Sequence, residues 1–245
     1  MQITKGIKTI ELVINLMGKC SVIHPTLIWN DTEAILVDTG VPGQFPMIKE
    51  AIENSGTAFN KLTKVILTHQ DIDHVGSLRE ILEAVNYKIE VLAHEKEKPY
   101  IEGKKPPYKM TPERLAKMTE SFPMEKRILF KTYLTSHYTV DKVINDEEFL
   151  PYCGGITVIF TPGHTPGHIS LYHHHSKALI TGDALVAANG VLKGPNPQVT
   201  PDMDTAFQSI KKFTNYDIET VICYHGGVIR KNVNEQIRKL ANSNK

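Results

Sequence analysis

Cysteine is scarce and scattered: Cys20, Cys153 and Cys223 are the three in 245 residues. An odd number at such spacing forms neither a CxxC pair nor a disulfide framework, which points to a reducing compartment. Neither sign of charge is in excess, with 28 Lys plus Arg against 27 Asp plus Glu. That balance supplies no field to draw in nucleic acid or an anionic membrane surface. Long apolar runs are also missing. The run Ile10 to Leu16 is interrupted by Glu11 and Asn15, has no small-residue cleavage site after it and reads as a strand. Nothing approaches the roughly 20 residues needed to span a bilayer. There is no GxSxG, so the usual serine-hydrolase elbow is excluded. The expectation is a cytoplasmic protein, 41% hydrophobic and 22% charged, folded as one domain over 1–245, with oligomeric state undefined.

What is present centres on residues 65–76, Val-Ile-Leu-Thr-His-Gln-Asp-Ile-Asp-His-Val-Gly. An apolar strand, Val65 to Leu67, runs directly into His69, Asp71, Asp73 and His74, the imidazole and carboxylate types that bind zinc, iron and manganese. Placed at a strand end, such side chains are presented by a rigid scaffold.

Taken in order, 9–16 and 21–29 read as β runs, followed by Ala34 to Val37 ending in Asp38-Thr39-Gly40. Met47, Ile48, Ala51 and Ile52 recur at helical spacing up to Gly56. Strand 64–68 is followed by a helix carrying Leu78, Ile81, Leu82 and Val85, then by strand 88–93. From about 95 to 151 prolines and charges surround two helical patterns, about 112–121 and 125–136, the first with Thr111 as N-cap and Pro112 at N1. This segment reads as a helical insertion, because it holds too few apolar residues for a core of its own. Strand 156–160 ends in His164 and His168; a hairpin over 169–180, with His173-His174-His175 as an exposed turn, ends in Asp183. A loop over 187–200, a helix over 202–214, strand 220–223 ending in Tyr224-His225 and a helix over 231–241 complete the chain.

Five strand ends therefore carry a His or Asp close to Gly or Pro: Asp38, the 69–74 cluster, His164, Asp183 and His225. Aligned along one edge of packed sheets, they would converge on a site for two metal ions.

These motifs, in this order over nearly the whole chain, resemble those of the metallo-β-lactamase-fold hydrolases. The resemblance implies an α/β fold, a four-layer αβ/βα sandwich, with a dinuclear site at the sheet edges. It implies that His69, position 71 and His164 hold a first metal, that Asp73, His74 and His225 hold a second, that Asp183 bridges them and that Asp38 orients a ligand. One position departs: the family has His-x-His-x-Asp-His, and here the second histidine is Asp71. A carboxylate oxygen is as many bonds from Cβ as the histidine Nδ1 that it replaces, so Asp71 reads as a substituted ligand. With Asp73 and Asp183 it makes a more neutral, oxygen-richer site, with zinc expected and manganese or iron tolerated.

The implied chemistry is hydrolysis of a small ester, lactone or thioester by a metal-bridging hydroxide, with Asp73 or a metal-bound water shuttling the proton. The alternatives are a mononuclear iron oxidoreductase of the same fold and a non-enzymatic metal-binding relic. His168 reads by resemblance as a structural hydrogen-bonding residue. His24, His94 and His137 stand alone, and Cys223 reads as core. The insertion's aromatics, Tyr100, Tyr108, Phe122, Phe130, Tyr133, Tyr138 and Phe149, either line a substrate pocket or pack the helices down.

Overall fold

A computed structural model of the chain describes residues 1–16, 19–120 and 122–243. Its first half runs β1 (Gln2–Thr4), β2 (Ile7–Thr9), β3 (Leu12–Leu16), β4 (Lys19–Ile23), β5 (Thr26–Trp29), β6 (Ala34–Val37), α1 (Phe45–Glu53), β7 (Leu62–Ile66), α2 (Ile72–Val75), α3 (Leu78–Glu83) and β8 (Glu90–Ala93). After α4 (Lys98–Ile101), α5 (Pro112–Glu120) and α6 (Met124–Thr135) come β9 (Lys142–Val143), β10 (Phe149–Leu150), β11 (Ile156–Phe160), β12 (Ile169–His173) and β13 (Ala178–Ile180). The chain closes with β14 (Val186–Ala188), β15 (Val191–Lys193), α7 (Met203–Lys211), β16 (Thr220–Cys223), β17 (Gly227–Ile229) and α8 (Val233–Asn242).

Among the described residues, one sheet has the order β1-β2-β5-β6-β7-β8-β9 and the other β10-β11-β12-β13-β16-β17. Side chains alternate across a strand, and both faces of each central strand here are apolar. In β6, Ala34 and Leu36 pack against α1 and α3 through Ile48, Ile52 and Ile81, while Ile35 and Val37 face the opposite sheet through Val158, Leu171 and Ile222. In β16, Ile222 joins that central layer, while Val221 and Cys223 pack toward α7 and α8 with Ile210 and Ile237. The result is the four-layer αβ/βα sandwich. Strands β6, β7, β8 and β9 are parallel, so the turns after β6 and β7 open at one edge of the first sheet.

Several expectations change in detail. The 9–16 and 21–29 runs are broken into short strands and the β3–β4 hairpin; Pro25, which has no N–H to give a ladder, falls between β4 and β5. The 64–68 strand lies at Leu62–Ile66. The 112–121 helix is α5, and residue 121 lies outside the described residues. The 187–200 loop begins with the β14–β15 hairpin, whose turn is Asn189-Gly190, both at positive φ (53° and 76°), the usual requirement of a two-residue hairpin. His173 is buried in β12, its Nδ1 2.7 Å from Ser176 Oγ and its Nε2 2.8 Å from the Cys153 carbonyl; the exposed part of the turn begins at His174. The 95–151 segment is helical only in its first part, because β9 joins the first sheet and β10 the second. Among the described residues no helix is long and apolar enough to cross a membrane.

Candidate metal centre

The site is built from turns that follow β6, β7, β11, β13 and β16. Asp38 is forced into the left-handed region, φ 61°, where its carboxylate turns back toward the start of the next turn. Its Oδ1 accepts from Thr68 N at 2.8 Å, and its Oδ2 accepts from Thr68 Oγ1 at 2.8 Å and lies 2.8 Å from His74 Nδ1. A carboxylate can only accept, so His74 carries its proton on Nδ1 and presents Nε2. The Thr68 hydroxyl, committed to Asp38, accepts from His69 Nδ1 at 3.1 Å, which aims His69 Nε2 the same way. Across the site, Thr200 Oγ1 lies 3.1 Å from His164 Nδ1 and again leaves Nε2 to the centre.

Two trios of donors result. One ligand atom each from His69, His164 and Asp183 lie within 4.8 Å of one another, and so do those of Asp73, His74 and His225. Asp183 stands between them: Oδ2 is 3.1 Å from His164 Nε2, while Oδ1 is 3.4 Å from His74 Nε2 and 3.5 Å from His225 Nε2. Asp73 Oδ2 is 3.3 Å from His225 Nε2. Asp71 Oδ2 is 3.3 Å from both His69 Nε2 and His164 Nε2, and it is also ion-paired to Lys109. All eight residues singled out in the sequence are thus brought to one edge.

His69 Nε2, His74 Nε2 and Asp183 Oδ1 are buried and make no hydrogen bond. Leaving three such atoms without partners is costly unless something polar belongs there. Imidazole nitrogen and carboxylate oxygen are the donor set of zinc, manganese and iron, so the residues present fit divalent metal. The electrostatics agree. Burial disfavours charge on His74, but Asp38, Asp73 and Asp183 outweigh it and hold its pKa well above the usual range. Burial likewise opposes ionisation of Asp183, and His225, His164 and His74 outweigh it, holding its pKa well below. The carboxylates around His74 thus favour positive charge at this point, which a divalent ion would supply.

Supporting residues complete the centre. His168 Nε2 accepts from Asp183 N at 3.0 Å while its Nδ1 lies 2.8 Å from Thr161 Oγ1, so its lone pair is spent on the backbone; burial, then His164, push its pKa down to about 3. Gly182, at φ 49°, lets the chain pass: a Cβ there would lie 2.7 Å from His168 Nε2. The Tyr224 ring stacks on His74 with centroids 3.8 Å apart, and its hydroxyl donates to the Asp73 carbonyl. Cys223 is core, its thiol pushed up to about 12 by burial. Two residues escape a reading of the sequence. Glu97, fully buried, accepts from Gln70 N at 3.0 Å and Gly167 N at 2.7 Å, tying the turn after β7 to the turn after β11. Burial raises its pKa to about 7. Lys109 reaches in from the segment between α4 and α5. Neither carries a local signal, since each matters through partners distant in sequence.

Beside the trios lies a cavity of about 730 Å³ lined by Gln70, Tyr100, Tyr108, Met110, Tyr133 and Tyr138. Tyr133 Oη donates to the Gln70 carbonyl at 3.0 Å, fastening α6 next to His69. Of the insertion's aromatics, three lie outside the cavity lining: Phe122 and Phe130 pack on each other with ring centroids 6.0 Å apart, and Phe149 is exposed on β10, which pairs with the second sheet, and meets His174.

Comparison with known proteins agrees with this geometry. The chain is 32% identical over 225 residues to the probable metallo-hydrolase YflN of Bacillus subtilis, covering 85% of this chain and 81% of that one. It is 28% identical over 190 residues to the hydroxyacylglutathione hydrolase GloC of Haemophilus influenzae, covering 76% of each. The fold superposes on the metallo-beta-lactamase family protein TTHA1429 of Thermus thermophilus with a TM-score of 0.72 at 21% identity, over 99% of this chain and 80% of that one. The model of the metallo-beta-lactamase superfamily matches residues 19–225, a span that takes in every strand-end donor from Asp38 to His225, and the chain belongs to that superfamily.

Proposed function

We propose that the protein is a divalent-metal-dependent hydrolase of a small carboxylic ester, lactone or thioester. The observation that carries this reading is the pair of trios sharing Asp183, with His69 Nε2, His74 Nε2 and Asp183 Oδ1 buried and unpartnered. Two ions, zinc or else manganese or iron, would be held by His69, His164 and Asp71 on one side and Asp73, His74 and His225 on the other, with Asp183 between them. When bound, they would supply Lewis acidity and a water that ionises near neutral pH. The convergence of the second trio favours this over a one-metal oxidoreductase, and the name of the Haemophilus influenzae relative supports a hydrolase.

The chain's own residues do the rest. Asp38, Thr68 and Thr200 fix His74, His69 and His164 so that each presents Nε2 without reorganising. Asp73, whose Oδ2 lies 3.3 Å from His225 Nε2, takes a proton from water and returns it to the leaving oxygen or sulfur. The tyrosine-lined cavity takes the acyl portion and excludes water from it.

The test is a panel of ester, lactone, thioester and phosphodiester substrates with protein purified without chelator and assayed for metal. Turnover of one of the first three, lost on chelation and restored by zinc or manganese, is expected. Turnover indifferent to chelation, or confined to phosphodiesters, would sink the reading.

A further inference from the structure

The first trio already faces a cation. Lys109, 10% exposed, is ion-paired to Asp71 Oδ2, lies 2.6 Å from His164 Nε2 and donates to the Val199 carbonyl at 3.2 Å. An ammonium has three donors and no acceptor, so at that distance it meets the Nε2 lone pair, the other ring nitrogen being turned to Thr200. That lone pair is the one through which His164 joins His69 and Asp183. The second trio differs: Asp73, His74 and His225 face one another and Asp183.

We propose that Lys109 is the resident cation of the first trio. The chain then takes one divalent ion readily, at Asp73, His74 and His225, and a second only by displacing the lysine from Asp71 and His164. The inference rests on the reading of the two trios as a metal centre. Its physical basis is exclusion: ammonium and metal need the same donors, and like charges at such separation repel strongly in a site shielded from water. Asp71 fits the arrangement, because a carboxylate attracts an ammonium where the family's usual histidine would not. Displacement also reaches the cavity. Lys109 lies between Tyr108 and Met110, two of the lining residues, and its bond to Val199 ties that segment to the turn that carries Thr200. Loading the first trio would release that tie, so the metal content would be coupled to the wall of the cavity.

Metal-free protein titrated with zinc, with bound metal counted by elemental analysis and affinities taken from calorimetry, tests this without any substrate. Wild type should bind in two steps, the second weaker. Lys109→Met, which keeps the apolar stem and removes the charge, should tighten the second step by about tenfold or more, whereas Lys109→Arg should leave it weak. His225→Ala should remove the tight step and leave the one that responds to position 109. Circular dichroism and melting temperature establish that each variant is folded. Equal second-step affinities in wild type and Lys109→Met would overturn the inference while leaving the metal centre standing. So would an arginine variant that behaves like the methionine one. If wild type and Lys109→Met both bind no metal, the metal centre itself fails and the inference with it.

Discussion

At the sheet edges His69, His74 and His164 are aimed by Thr68, Asp38 and Thr200 through buried hydrogen bonds, whereas the helical segment above them reaches the site through a few long side chains. Tyr133 meets the Gln70 carbonyl, Tyr108 N donates to Gln70 Oε1 at 3.3 Å and Lys109 meets Asp71 and His164. On α6, Met124, Ile128 and Leu129 remain exposed, while the strands beneath bury both faces. The floor is over-determined and the roof is lightly attached. Such a division suits a protein whose donors must hold their geometry while the covering segment adapts to what enters.

If that division is real, changes to the floor should remove chemistry and changes to the roof should alter selection. Asp183→Ala, which takes away the carboxylate common to both trios, should lower metal affinity by more than about a hundredfold and turnover at least as much. Metal content equal to wild type would break the comparison at its strongest point.

Glu97 tests the seam between floor and roof. Its carboxyl has a pKa of about 7 in the fold against 4.5 unfolded, so between those values the folded chain holds a proton that the unfolded chain has lost. Its contribution is fully present below about pH 4.5, falls by about 3 kcal/mol as pH rises to 7 and stays low above it. Urea unfolding of metal-free protein from pH 4.5 to 8 should show this slope, and Glu97→Gln should flatten it. An unchanged slope in the variant would assign the pH dependence to other groups.

The smallest change is expected at the roof. Tyr133→Phe removes the hydrogen bond to the Gln70 carbonyl and should cost about 1 kcal/mol of stability. It should raise KM a few-fold with metal content and kcat nearly unchanged. A loss of metal instead would mean that roof and floor are not separable.

The same division separates what can be read from the residues from what cannot. The cluster His69-x-Asp71-x-Asp73-His74 is legible because four donors follow one apolar strand, and Asp38, His164, Asp183 and His225 are legible because each ends a strand. Strand and turn are local properties, set by side-chain shape, period and glycine, so the donors at the strand ends follow from the chain itself, while the layer order follows from the resemblance that those motifs carry. The β14–β15 hairpin is equally local, signalled by Asn189-Gly190, but its alternation is so short that the surrounding loop residues hide it.

How Lys109 and Glu97 meet those donors is another matter. Lys109 and Asp71 are 38 positions apart in the chain, His164 is 55 beyond Lys109, and Glu97 joins Gln70 to Gly167. No pattern in the sequence sets those separations, because they depend on how two sheets twist, stack and fold an insertion back across their edge. By itself the sequence determined the strand ends, their chemistry and the superfamily. Tertiary packing alone decided that Glu97 is buried and carries a raised pKa, and that an ammonium from the roof faces the first trio, since each depends on close contact and exclusion of water between residues far apart in the chain.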